Sequence, residues 1–97
     1  MKAVFIPYNQ AHKESLIDIL DRMSIRGITI WENVQGRGTD KGDPHYGDHA
    51  WPTMNSSILA VIPDEKVNTL LDRIHALDKE AENLGIHAFV WNIEKMI

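Results

Sequence analysis

Between residues 36 and 52 the chain reads GRGTDKGDPHYGDHAWP, and the side chains able to do chemistry crowd into it. His45 and His49 stand four apart, with Asp40, Asp43 and Asp48 around them. Imidazole with carboxylate suits Zn(II), Cu(II) or Ni(II), and a chain without cysteine offers no thiolate for Cu(I). A four-residue spacing chelates on a helix, but Pro44 and Gly47 oppose a helix here. A particular loop path, or neighbouring subunits, must therefore bring the two imidazoles together. The plainer reading is that both are solvated loop residues. A second chemistry lies at the start of the stretch. Backbone N–H groups of GRGTDKG can cradle an anion, with Arg37 and Lys41 assisting. The full phosphate-loop pattern GxxxxGK[ST] is missing, so Gly36 and Gly38 read first as backbone devices where a strand turns into a loop. Tyr46 and Trp51 can be read as docking onto a partner or covering a ligand; for Trp51 the favoured expectation is that, with Pro52, it packs over the sheet end as the chain re-enters the third strand.

The remaining histidines carry less. His12 falls in the first turn of a helix and is expected to be solvated. His75 lies beside an apolar stripe and reads as surface or subunit contact. His87 alternates with apolar neighbours on a strand and reads as an interface residue. No serine–histidine–acid pattern, no HExxH and no singled-out carboxylate pair suggests an enzyme.

The elements that position this stretch follow from periodicity. KAVFIPY, residues 2–8, is an apolar run suited to a first strand. Leu16, Ile17, Leu20 and Met23 then recur at helical spacing, with Asn9 as the expected cap and Gly27 as the expected left-handed stop. ITIWENVQ, residues 28–35, alternates as a second strand. Ile28, Ile30, Glu32 and Val34 share one face, and Thr29, Trp31, Asn33 and Gln35 share the other. SSILAVIP, residues 56–63, is a third strand ended by Pro63. Asp64 is the expected N-cap of a long helix whose stripe is Val67, Leu70, Leu71, Ile74, Leu77, Ala81 and Leu84, closed by Gly85. IHAFVWNIEKMI is a fourth strand running nearly to the end. The order β-α-β-β-α-β predicts an α+β, ferredoxin-like fold, a four-stranded antiparallel sheet with two helices on one face. The long loop between strands 2 and 3, residues 36–55, is the opening stretch.

Helices cover only one face of such a sheet, so the other should be polar in a monomer. Three strands are instead apolar on both faces. Ala3 and Phe5 oppose Val4 and Ile6; Leu59 and Val61 oppose Ile58, Ala60 and Ile62; Phe89, Trp91 and Ile93 oppose Ile86, Ala88 and Val90. A patch of that size implies burial against further copies of the chain.

Size and charge bound the rest. Ninety-seven residues make one domain, 1–97, of ordinary soluble composition. A formal charge of −4 argues against nucleic acid or an anionic membrane as partner. No apolar run reaches the roughly 20 residues that span a bilayer, so direct membrane insertion is not expected. The start, MKAVFIPYN, lacks the pattern of a secretory leader, which sets a cytoplasmic expectation.

Taken in order, KAVFIPY, RGITI, VQGRGTDKG and IPDEKV resemble the PII-type signalling proteins of the nitrogen-regulatory superfamily. The motif V-x-G-x-G falls on Val34, Gly36 and Gly38, and the likeness covers about three quarters of the chain. It implies a homotrimer with sheets facing inward, and makes residues 36–55 the T-loop that contacts ligands and partners. On it the ligand or partner loop comprises Gly36, Arg37, Gly38, Asp40, Lys41, Asp43, Tyr46 and Asp48. The chain departs from the nucleotide-binding members at three points. EAENLGIHAFVW passes straight from helix to strand without their glycine- and lysine-bearing loop. The end, NIEKMI, lacks their arginine pair. Asp40 stands where they often have glutamine. Nucleotide binding in the usual family manner is therefore not expected, since several phosphate charges would lack partners. The short PII-like group associated with heavy-metal resistance and efflux is the nearer likeness. It implies a regulatory sensor of a divalent transition metal, ligated by His45 and His49, with a membrane transporter or efflux component as partner. An adenine-nucleotide sensor using the intersubunit cleft, and a ligand-free interaction module, are the alternatives.

Overall fold

The computed structural model describes residues 1–34, 55–80 and 85–97. Four strands form one sheet: β1 (Lys2–Asn9), β2 (Ile28–Val34), β3 (Asn55–Ile62) and β4 (Phe89–Asn92). Two helices, α1 (Lys13–Arg22) and α2 (Val67–Glu80), are each entered through a 3-10 turn, Gln10–His12 and Asp64–Lys66. The strand order is β2-β3-β1-β4 and every neighbouring pair is antiparallel. The expected βαββαβ ferredoxin-like arrangement is thus the one observed.

Register explains why the two faces differ. Val4 lies between Ala60 and Val90, and Ile6 lies opposite Ile58. Side chains two apart share a face, so Val4, Ile6 and Tyr8 join Ile58, Ala60 and Ile62. Leu16 and Leu20 of α1 and Leu70 and Ile74 of α2 cover that face, with Ile25 and Ile86 closing the core. Each fully buried leucine or isoleucine contributes about 1.5–3 kcal/mol of transfer free energy.

Three element ends differ from expectation. The first helix stops before Gly27. Ser24 takes the left-handed conformation, φ 58°, with its N–H on the Asp21 carbonyl (3.0 Å) and the Ile25 N–H on the Leu20 carbonyl (2.8 Å). This is a Schellman stop, and the buried pair Ile25 and Leu20 supplies the apolar contact that accompanies it. Asp64 does not cap the second helix. It lies inside the 3-10 turn, after Pro63, and its carboxylate meets the Met1 ammonium at 2.9 Å. β4 is shorter than residues 86–97 suggested. Beyond it, pairing continues through His87 N–H to Pro7 O (3.2 Å) and Ile93 N–H to Met1 O (3.1 Å). Gly85 is left-handed, φ 88°; whether it closes the helix, as expected, falls on residues 81–84, outside the described residues. Ala81 and Leu84 of the predicted stripe lie outside the described residues.

The uncovered face carries the odd-numbered side chains. Phe89 pairs with Phe5, Trp91 with Ala3, Phe5 with Leu59, and Trp31 with Ser57. Phe89 is 55% exposed, Trp91 49% and Trp31 45%, so three large rings lie open on a sheet that no helix covers. The expected two-faced apolarity is present. Among the described residues no helix is long and apolar enough to cross a membrane.

Candidate functional site

Gly36, Arg37, Gly38, Asp40, Lys41, Asp43, His45, Tyr46, Asp48 and His49 all lie outside the described residues, as do Trp51 and Pro52. The structure does place both ends of the connection that carries them. Val34 and Asn55 are register partners, so the chain leaves β2 and rejoins β3 at adjacent positions. The root therefore lies at one end of the sheet, where β1 also ends and turns into α1. Asn9 anchors that turn; its Oδ1 accepts from the Ala11 N–H at 2.9 Å, the capping role expected of it.

Beneath the root is a set of polar groups that periodicity had not singled out. Tyr8 and Ser56 are register partners on the helix-covered face, 1% and 0% exposed. Ser56 is near enough to lower the Tyr8 phenol, yet neither oxygen closes a hydrogen bond. Burial dominates and pushes the phenol above its ordinary value, against the opposing effects of Ser56 and the Lys13 ammonium. His12 continues the Leu16–Leu20 stripe by one turn towards the helix start. Its Nε2 is buried without a partner, so the solvated position expected for His12 is overturned.

The second strand loses its alternation at this end. Trp31 pairs with Ser57 and Val34 with Asn55, so Glu32 and Asn33 together oppose the single residue Ser56. That is a β-bulge. Asn33 is left-handed, φ 59°, a conformation that Asn tolerates better than most side chains. The expected grouping of Val34 with Ile28 and Ile30 therefore fails, since its partner Asn55 belongs to the odd-numbered, uncovered face. Glu32 is exposed and pairs with Lys13 on α1, whose ammonium donates to Oε1. Glu32's hydrogen bond and charge hold the Lys13 ammonium above the ordinary lysine value. Gln10 Nε2 donates to Asn33 Oδ1 at 2.7 Å. One signal of this was visible beforehand: a carboxylate standing in an apolar register after Ile28 and Ile30.

A second polar group lies on the β4 side. His87 stacks on Phe89, ring centroids 6.2 Å apart and planes 23° from parallel, with its Nε2 buried and unpartnered. Asp78 Oδ1 accepts from the Ile86 N–H at 3.0 Å. His75, Asp78 and His87 line an open cavity of about 260 Å³ floored by Leu71, Ile74 and Ile86. His75 is exposed on this chain, compatible with the surface or subunit contact expected of it. Among the described residues no three His, Asp or Glu side chains converge to hold a metal ion.

Comparison with known proteins completes the site's context. The family model for nitrogen regulatory protein P-II matches residues 1–97. No curated protein matches the chain. Among solved structures, CPII from Thiomonas intermedia K12 bound to ADP and bicarbonate aligns with a TM-score of 0.78 at 30% identity, over 95% of this chain and 84% of that one. The same protein bound to ADP, AMP and acetate aligns at 0.76 and 29%, with the same coverage. A protein of Thermus thermophilus described as PII-like aligns at 0.67 and 18%, over 95% of this chain and 84% of that one, which speaks to the fold.

Proposed function

Because the chain belongs to the nitrogen regulatory protein P-II family, we propose that it is a regulatory rather than enzymatic protein, that its ligand is an adenine nucleotide, and that residues 36–55 pass the signal to a protein partner. The observation that carries this reading is that one relative, CPII, 29–30% identical over 95% of this chain, holds ADP in two structures, in one with AMP and acetate and in the other with bicarbonate. It reverses the order of the two ligand classes that the sequence suggested. A divalent metal at His45 and His49 rests on their spacing alone, and the heavy-metal-associated group is one branch of a family that the chain joins more broadly.

The departures in sequence still have a consequence for which nucleotide is preferred. Without a lysine-bearing loop before β4 or terminal arginines, a triphosphate would leave more charge uncompensated than a mono- or diphosphate. AMP and ADP should therefore bind more tightly than ATP, with a small carboxylate or bicarbonate as co-ligand. Self-association through the open sheet face, in the trimer that the resemblance implies, would supply the intersubunit cleft. The transporter or efflux component implied by the same resemblance is the candidate receiver of the signal.

Isothermal calorimetry on the purified chain tests the reading. Saturable binding of ADP or AMP, stronger than that of ATP, is expected. Flat titrations with all three, together with Zn(II), Cu(II) or Ni(II) binding that His45→Ala with His49→Ala abolishes, would return the assignment to metal.

A further inference from the structure

We infer that Gln10 and Lys13 form a side-chain latch, which holds residues 32–34 at the one place where the strand ladder does not. The β2–β3 register is regular from Ile28↔Ala60 to Trp31↔Ser57, then skips to Val34↔Asn55. Glu32 and Asn33 are the two residues in the gap. A bulge of this kind leaves ladder hydrogen bonds unmade and bends the strand. It also makes one residue, Asn33, adopt the left-handed region. Both bulge side chains are then held from outside the sheet. Gln10 Nε2 donates to Asn33 Oδ1 at 2.7 Å, and Lys13 Nζ donates to Glu32 Oε1.

Both latch donors lie on the 3-10 turn and first helical residue that follow β1, so one short segment fixes the exit of the chain from β2. Below the bulge, the Ser56 and Tyr8 hydroxyls are buried side by side, Ser56 lowering the Tyr8 phenol against the larger, opposite effect of burial. At the root of the 36–55 connection, exposed and exchangeable side-chain contacts thus hold Glu32 and Asn33 where the register skips. That combination suits a joint able to shift between two positions without disturbing the core. Movement of the root is then coupled to the start of α1, because the same contacts join them.

This inference deepens the nucleotide reading: ligand bound near the root would favour the latched position, and a broken latch would weaken binding. Hydrogen–deuterium exchange of the full chain tests it independently. In Gln10→Ala with Lys13→Met, exchange across residues 32–34 should rise on the order of fivefold, while β1 residues 2–6 keep their protection. Lys13→Glu should do the same, and adding Glu32→Lys should restore protection by reversing the pair. Should the double variant fail to fold, Glu32→Gln removes the charge at an exposed site and gives the same readout. Unchanged exchange at 32–34, or no recovery in the charge swap, overturns the latch. ADP calorimetry is run beside it. If the wild-type chain does not bind ADP the nucleotide reading falls, and the exchange result still decides the latch.

Discussion

Ser24 and Asn33 are the two non-glycine residues with positive φ among the described residues; Ser24 follows the end of α1, and Asn33 lies within β2 at its bulge. Ser24 closes α1 in a position that glycine fills most cheaply, because a Cβ in the left-handed region meets the following carbonyl. Both Schellman hydrogen bonds are nevertheless formed, at 3.0 and 2.8 Å. Ser24→Gly should therefore stabilise the protein by about 0.5–1 kcal/mol after glycine's greater unfolded-state freedom is set against the relief of strain. A thermal melt should rise by a few degrees, and a fall would show that the serine hydroxyl supports the turn. Asn33 differs, since its amide is engaged by Gln10 at 2.7 Å and its conformation belongs to the bulge. Neither position could be read from periodicity. The nearest glycine, Gly27, drew the expected helix end towards itself, whereas Leu20 and Ile25 meet in the core and turn the chain three residues earlier.

The elements themselves were legible, because alternation and helical spacing each leave a long imprint on apolar positions. Their ends were less so. β2 illustrates why: seven residues alternate well enough to be called one strand, but a bulge adds a residue and reverses the faces beyond it. Val34 is then the residue that changes face, paired with Asn55, while Glu32 meets Lys13 of α1, a pairing between residues 19 apart in the chain. That pairing has a defined pH response. The Lys13 ammonium is held above its ordinary value near 10.5, chiefly by the Glu32 hydrogen bond. A raised lysine contributes stability that is fully present below its unfolded value and lost as pH rises through the folded one. Exchange protection factors at residues 32–34 should stay level between roughly pH 6 and 9, and fall only in stronger alkali. A decline already within the neutral range would show that a group other than Lys13 carries the contact.

At the scale of the whole molecule the uncovered sheet face decides the behaviour. Trp31, Phe89 and Trp91 are each about half exposed on a face shared with Phe5, Leu59 and Val61. A charged side chain placed among them should be tolerated by the monomer and not by an association that buries the face. Trp91→Glu should therefore lower the mass measured by light scattering from that of an oligomer, the trimer being expected, to that of a monomer, with little change in far-ultraviolet circular dichroism. An unchanged mass would move the association surface elsewhere. Apolar alternation alone was enough to establish the βαββαβ order, the core face and the excess of apolar residues on the opposite face, because burial acts on each strand and helix locally. The crowding of histidine, aspartate and glycine into residues 36–52 was equally plain, but side-chain types there do not specify a ligand. The helix stop at Ser24, the burial of the His12 Nε2, the Tyr8–Ser56 pair and the union of Gln10 and Lys13 with Asn33 and Glu32 required the folded chain. Each depends on residues distant in sequence meeting at one end of the sheet, and a one-residue change of register there reassigns every side chain beyond it.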